Sequence, residues 1–505
     1  MKNGHWVWVF LAAVSLIFVM CNNGSDTNGD DTEPYDERLI KAGLGASHNS
    51  VNGVAFRQSS MSTWGDTQYI VYFLRHHNAT QSYVQYGVRK LHEPEFSLVT
   101  SDIVGASNNA HNSISIVTDG DGYIHMAVNA HNQQLWYYRG AEPGELPMAK
   151  DRQFMIGTTH GNASASESSV TYVEFYRLSD TGNVLFTYRQ GGSGAGHMVL
   201  NRWITAEKKW ERLHNRLLDG SIPSPAPGGS GTVNYSPYWQ MYIDETDRVH
   251  LSWVFRQSSD VRTNANMYYA YSDDEGVTWR RMSDGAAHTT PIAPVNAIDV
   301  EETQRAERVW EISQDSNLMN QTNMTGEGGN PYILTYYGSP TMQYRVIFHD
   351  GTEWRETIVS NRTFNDNSVR NPFLSGTGTI VSPLSRPRMV VRRDEQDNVA
   401  AFFICRFENA QATQASQHRR VSMFSTPNIL APQAGWNFKY LTDFSVNFWE
   451  PSMDTDLWKD QGKLHIFVQW CHGSAFGGVS DGGQIPLASY PAQQVYSLIV
   501  DTLDP

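Results

Sequence analysis

Cysteine is scarce: three residues in 505, one of which, Cys21, ends an apolar N-terminal stretch. Only Cys405 and Cys471 remain in the body, so one disulfide is the most it can form and a disulfide scaffold is excluded. Basic residues are also in the minority, 38 Lys and Arg against 52 Asp and Glu, for a net charge of -14. That balance excludes nucleic acid as a partner, and any anionic ligand then requires a locally basic site on an acidic body. Helical periodicity is nearly missing after residue 50. What remains is 40% apolar and 12% aromatic, enough for a large core and incompatible with disorder.

The opening "MKNGHWVWVFLAAVSLIFVM" carries one Lys and then an apolar run, and it reads as an export signal over residues 1–21. Cys21 follows it as in a bacterial lipoprotein, although Met20 stands where a small residue is usual, which leaves ordinary cleavage open. Residues 22–40, beginning "NNGSDTNGDDTEP", form a flexible polar tether, and residues 41–505 form one domain. The expected product is exported, on the cell surface or secreted. It is monomeric and touches a membrane only through a lipid on Cys21.

Strand patterns fill the rest. Runs such as "TQYIVYFLR", "VHLSWVFRQ", "NVAAFFICRF" and "KLHIFVQWC" are rich in β-branched and aromatic residues and are bounded by Gly, Asp and Asn. "HNSISIVTDGDGYIHMAVNAH" from 111 aligns with "SPYWQMYIDETDRVHLSWVFR" from 236 and "RPRMVVRRDEQDNVAAFFICR" from 386, with an acidic turn at Asp119, Asp244 and Asp394. Each unit continues into two further strands, and S-x-D-x-G-x-T-W at 272–279 is an Asp-box turn. Units start near Gln68, His111, Tyr172, Ser236, Pro331, Arg386 and Pro451. The expected fold is all-β, a seven-bladed β-propeller of four-stranded antiparallel blades.

The repeat sorts the histidines. His125 recurs as His250 and His465, which marks it as structural. His111 and His131 do not recur; their slots hold Ser236 and Arg256, or Arg386 and Arg406. The start of an inner strand and the end of a second strand share the mouth of the funnel, so His111 and His131 should meet there. Tyr172 and Arg189 occupy the same slots in the next unit, ahead of the Gly-rich "GGSGAG". A phenol, a guanidinium and two imidazoles, with no convincing carboxylate pair, suit proton abstraction α to a carboxylate. Arg forks a carboxylate, and Tyr or His moves the proton. An adjacent cation would lower the Tyr pKa and make phenolate a base. The chemistry needs no cofactor. His472 beside Cys471 lacks the close-spaced partner of a zinc site, and a structural ion remains compatible.

"AHNSISIVTDGDGYIH", "SVTYVEFYRLSDTGNVLFTYRQGGSGAGHMVLNRW" and "SHNSVNGVAFRQ" resemble the BNR-repeat propellers that include ulvan lyases of polysaccharide lyase family 25 and the related family 24. The resemblance implies β-elimination on ulvan, an anionic sulfated rhamnose–uronic acid polymer. Its His pair falls on His111 and His131, its carboxylate neutraliser on Arg189 and its Tyr on Tyr172, with Tyr176 as the rival. Asn112, Tyr235, Arg256, Arg386 and Arg406 are the substrate-binding candidates, and Tyr238 is a weaker stacking candidate. The alternatives are a sialidase-like hydrolase, with Glu174 near Tyr172, and a non-catalytic glycan-binding propeller.

Overall fold

A computed structural model describes residues 37–47, 51–53, 59–74, 81–107, 109–128, 130–153, 156, 167–193, 196–226, 229, 231–320, 322–363, 384–407, 419–472, 492–501 and 503–505. The export signal, most of the tether and part of the Gly-rich loop lie outside these residues.

Among the described residues the strands form seven antiparallel blades, six of four strands and one of four with an added fifth, in the arrangement of a seven-bladed β-propeller, beside a separate two-stranded hairpin. Blade two runs Ile114–Thr118, Ile124–Val128, Trp136–Arg139 and Arg152–Gln153. Blade three runs Val170–Arg177, Val184–Gln190, His197–Ile204 and Lys209–His214. Blade four runs Ser236–Ile243, Val249–Arg256, Asn264–Ser272 and Arg308–Trp310. Inner strands are buried on both faces, as in Ser236–Ile243, because each blade is covered by a neighbour on either side. The core is therefore divided among the blade interfaces. Phe175 and Phe186 of blade three pack with Ala127 and Tyr137 of blade two, while Leu185 and Leu200 pack with Trp239 and Trp253 of blade four.

The acidic turns are the same device three times. Asp119 Oδ1 accepts from the backbone of Asp121 and Tyr123, Asp244 Oδ1 from Thr246 and Arg248, and Asp394 Oδ1 from Gln396 and Asn398. The other oxygen of the first two faces the repeated histidine. His125 sits between Asp119 (3.4 Å) and the Tyr137 hydroxyl (2.8 Å), and His250 between Asp244 (3.0 Å) and Tyr269 (2.7 Å). Both rings are fully buried, which fits a structural role. His465 turns instead to Gln68 of blade one. In the Asp box, Thr278 and Gly276 donate backbone N–H groups to Asp274 and Ser272, and Trp279 is buried.

Three features depart from the sequence expectation. Blades one and five begin one strand earlier than Gln68 and Pro331, at Met61–Trp64 and Asn323–Glu327. These inner strands are short and carry polar residues, and Gly326 is required because a Cβ there would lie 2.5 Å from His250 Nε2. Blade seven is closed by Glu37–Gly45, which pairs with Gln493–Val500, so the segment read as a tether ends in a strand. That pairing completes blade seven with one strand from before blade one and three from after blade six. A short helix, Thr455–Gln461, follows the inner strand of blade seven; Lys459 Nζ donates to the Arg177 carbonyl at 2.6 Å, at the end of the central channel away from Tyr172. Cys405 and Cys471 are free and buried, and burial pushes both thiols up.

Candidate active site

His131 reaches the site by an unforeseen route. The second strand of blade two ends at Val128, and His131–Gln133 forms a separate strand that joins blade three, where His131 pairs with Thr171. Blade three thereby gains a fifth strand and carries His131 next to its own inner strand. Asn132, at φ +53, turns the chain there, and its Oδ1 accepts from Thr171 Oγ1 at 3.2 Å.

Tyr172 occupies a β-bulge. The ladder between the first two strands of blade three slips between Thr171 and Glu174, and Tyr172 adopts φ +63. A bulky side chain in this left-handed region costs about 1–3 kcal/mol, a cost borne where the conformation re-aims a side chain. The result is a compact cluster. The His111 and His131 rings stack at 4.2 Å, 10° from parallel, and Tyr172 lies 5.9 Å from His111. The Arg189 guanidinium sits 4.8 Å from the Tyr172 ring centre. The structure thus brings together His111, His131, Tyr172 and Arg189. Tyr176 lies deeper in the channel, where its hydroxyl donates to Glu174 at 2.5 Å. Glu174 is therefore engaged by Tyr176 rather than by Tyr172.

Arg189 is fixed by its own strand end. Its Nε donates to Gly191 O at 3.0 Å and its Nη2 to Asn132 Oδ1 at 3.3 Å, while Nη1 has no hydrogen-bond partner among the described residues. Gly196 backs the side chain, since a Cβ there would lie 2.7 Å from Arg189 Cδ. Arg256 lies 4.7 Å from the Tyr238 ring and is tied to the carbonyls of Ser258 and Ser259. Arg386 is paired with Glu450 through two contacts of 3.1 and 3.0 Å. Arg406 donates to Asn447 O and packs on Phe448, apart from the four-residue cluster. Asn112 holds its loop through Ala106 O, and its Oδ1 has no hydrogen-bond partner among the described residues. Tyr235 turns away from the cluster toward Phe255.

One contributor escaped the sequence, and another was underweighted. Asn109 accepts the His111 N–H on Oδ1 at 2.9 Å, which directs its Nδ2 at His131 Nδ1, 2.6 Å away. His131 therefore accepts on Nδ1 and presents Nε2–H as a donor. The "NNAHN" spacing carries this signal, once the two His are known to meet. Tyr238 is also central rather than peripheral: it lies 6.0 Å from Tyr172, with its hydroxyl 3.0 Å from Ser193 Oγ.

Burial decides the protonation states. Burial, then His131 and the arginines, hold His111 well below its ordinary value, and burial plus Arg189 lower His131 to about 4. Both imidazoles are neutral at pH 7. Burial raises Tyr172 and outweighs Arg189, so the expected lowering by the adjacent cation does not prevail. Tyr238 is buried too, but Arg256 and Arg189 together outweigh that burial and lower it. The cluster thus offers a neutral base, a protonated phenol and a fixed cation. Among the described residues no group of three or more His, Cys, Asp or Glu is placed to hold a metal ion.

A family model described as a BNR repeat-containing family member matches residues 67–362. The polysaccharide lyase Uly1 has a similar structure, with a TM-score of 0.55, 14% identity, and coverage of 91% of this chain and 93% of that one. So does a family 25 ulvan lyase bound to a glucuronate–sulfated-rhamnose repeat, with a TM-score of 0.57, 12% identity, and coverage of 82% and 89%. These likenesses show a shared fold. No curated protein matches the chain in sequence.

Proposed function

The chain belongs to the BNR repeat-containing family, and from that premise we propose that it is a polysaccharide lyase that cleaves ulvan by β-elimination at the uronic acid. The observation that carries the reading is the clustering of Arg189, Tyr172 and His111 beside a donor imidazole. The uronate carboxylate takes Arg189 Nη1 and neutralises the cation, which spreads the charge of the developing dianion. It also removes the Arg189 field that helps depress the histidines, so their basicity rises when substrate binds. His111 accepts the proton from the carbon α to the carboxylate. The electron pair forms a double bond to the β carbon, whose bond to the glycosidic oxygen breaks, and Tyr172 O–H returns a proton to that oxygen. His131 Nε2–H orients the carboxylate or a neighbouring hydroxyl. No cofactor enters these steps.

The ulvan assignment is supported by the repeat bound to the similar family 25 enzyme and by the arginines Arg189 and Arg256 at the mouth, which suit an anionic, sulfated chain. Export, with or without a lipid on Cys21, places the enzyme where a polymer is accessible; this rests on residues 1–21. Among the described residues no helix is long and apolar enough to cross a membrane. Digestion in water enriched in heavy oxygen separates the reactions: elimination leaves the new reducing end unlabelled and yields an unsaturated uronate, whereas hydrolysis incorporates the label and yields none. Labelled, saturated products would overturn the lyase reading.

A further inference from the structure

Blade four carries a cleft of about 500 Å³ that the reaction does not use. It lies at the mouth end of the blade, where Asn264 pairs with Arg256, between the start of the third strand, the segment 311–314 and a small hairpin of Ser224–Pro225 with Thr232–Val233. Its volume falls within the usual span of ligand clefts, about 300–1,000 Å³.

The lining is built for a sugar. Phe255 lies 6.4 Å from Tyr235 and 5.3 Å from Tyr268, which gives an aromatic wall with Tyr235 half-exposed. Such a wall packs against the C–H face of a pyranose. Asn266 is held at φ +59 and clamped to Ile312 from both sides: its N–H donates to Ile312 O at 2.9 Å, and its Oδ1 accepts from Ile312 N at 3.1 Å. Ser224 Oγ is buried against the cleft and has no hydrogen-bond partner among the described residues. Arg308 stands exposed at the edge, with Glu311 at 3.7 Å.

The cleft adjoins the strand ends that carry Arg256. Tyr235 precedes Ser236, the strand partner of Arg256, and Phe255 precedes Arg256 itself. Gln314, in the lining, donates to Gln257 at 2.8 Å, one residue beyond Arg256.

We propose that this cleft is a remote subsite that holds an anionic sugar residue of the polymer away from the bond that is cut, with the sugar face on Tyr235 and its sulfate or carboxylate on Arg308. The proposal rests on the reading of the chain as a polysaccharide-cleaving enzyme. Its test uses the full mature chain with Arg308→Ala, which removes the cation, and Ala265→Trp, which fills the cleft. Affinity for intact ulvan is measured in an Arg189→Ala background by retardation in ulvan-containing gels, and KM is measured in the active chain on polymer and on a tetrasaccharide.

Loss of one exposed charged contact weakens binding by about threefold to tenfold. The expected result is a loss of that size in polymer affinity for each variant, a matching rise in the ratio of polymer KM to tetrasaccharide KM, and little change in kcat. Unchanged polymer affinity and an unchanged ratio in Arg308→Ala overturn the subsite; this exposed position carries the test alone if Ala265→Trp does not fold. If ulvan is bound but never cut, and the variants still weaken binding, the subsite stands and the lyase reading falls. If ulvan is cut and neither variant changes anything, the reverse holds.

Discussion

The Arg189 guanidinium lies 4.8 Å over the Tyr172 ring, yet burial holds the Tyr172 phenol above its ordinary value of 10. The hydroxyl therefore keeps its proton at neutral pH and is poised as the acid. Tyr172→Phe keeps the ring and the bulge and removes only that proton. The expected loss in kcat is about 10²–10⁴-fold, the span of a general acid, with KM and melting temperature nearly unchanged. A loss confined to KM would reassign Tyr172 to binding.

The imidazoles set the acid side of the pH profile. Protonation removes the base, and an ordinary histidine would do this near 6.5. Burial and Arg189 bring His131 to about 4 and hold His111 well below 6.5. In the free enzyme, kcat/KM should stay level as pH falls through 6.5 and decline only below it. The same groups cost stability in acid. Their folded pKa values lie below the unfolded one, so stability is complete above pH 6.5 and is lost as pH falls through the folded values. A decline in kcat/KM centred at or above 6.5 would contradict the neutral, buried pair.

Gly196 tests how closely Arg189 must be held. A Cβ there would meet Arg189 Cδ at 2.7 Å and Gly192 O at 2.9 Å. Gly196→Ala should displace the guanidinium and lower kcat/KM by about 10–100-fold, as small misplacements do. Melting temperature, read in parallel, should move little, because the position lies in the loop beyond the sheet.

His250 separates scaffold from chemistry. Its ring joins Asp244 to Tyr269 in the interior of blade four. His250→Ala strips the buried Tyr269 hydroxyl of its His250 partner and Asp244 of one of its donors, which costs about 1–3 kcal/mol. Denaturant unfolding should show the loss while kcat of the folded fraction is retained.

The propeller was legible because its units repeat an acidic turn at one spacing, at Asp119, Asp244 and Asp394, and because strands covered on both faces read as nearly unbroken apolar runs. The inner strands Met61–Trp64 and Asn323–Glu327 were not legible, being short and partly polar. His111 and His131 could be chosen because they break the repeat, and Tyr172 and Arg189 because they fill the same slots in the next unit. What brings them together was hidden. The pairing of His131 with Thr171 joins two blades, and the bulge at Tyr172 interrupts a stretch that reads as plain alternation. The protonation of Tyr172 depends on burial, which no local pattern encodes.

The central claim is elimination driven by a neutralised carboxylate. The most direct measurement is near-ultraviolet absorbance during incubation of the mature chain with ulvan, beside Arg189→Ala. The account predicts a steady rise from the conjugated double bond in the wild type and a rate lower by about 10²–10³-fold in the variant, the loss expected for a group that stabilises developing charge. Binding of ulvan without any rise in the wild type would contradict it.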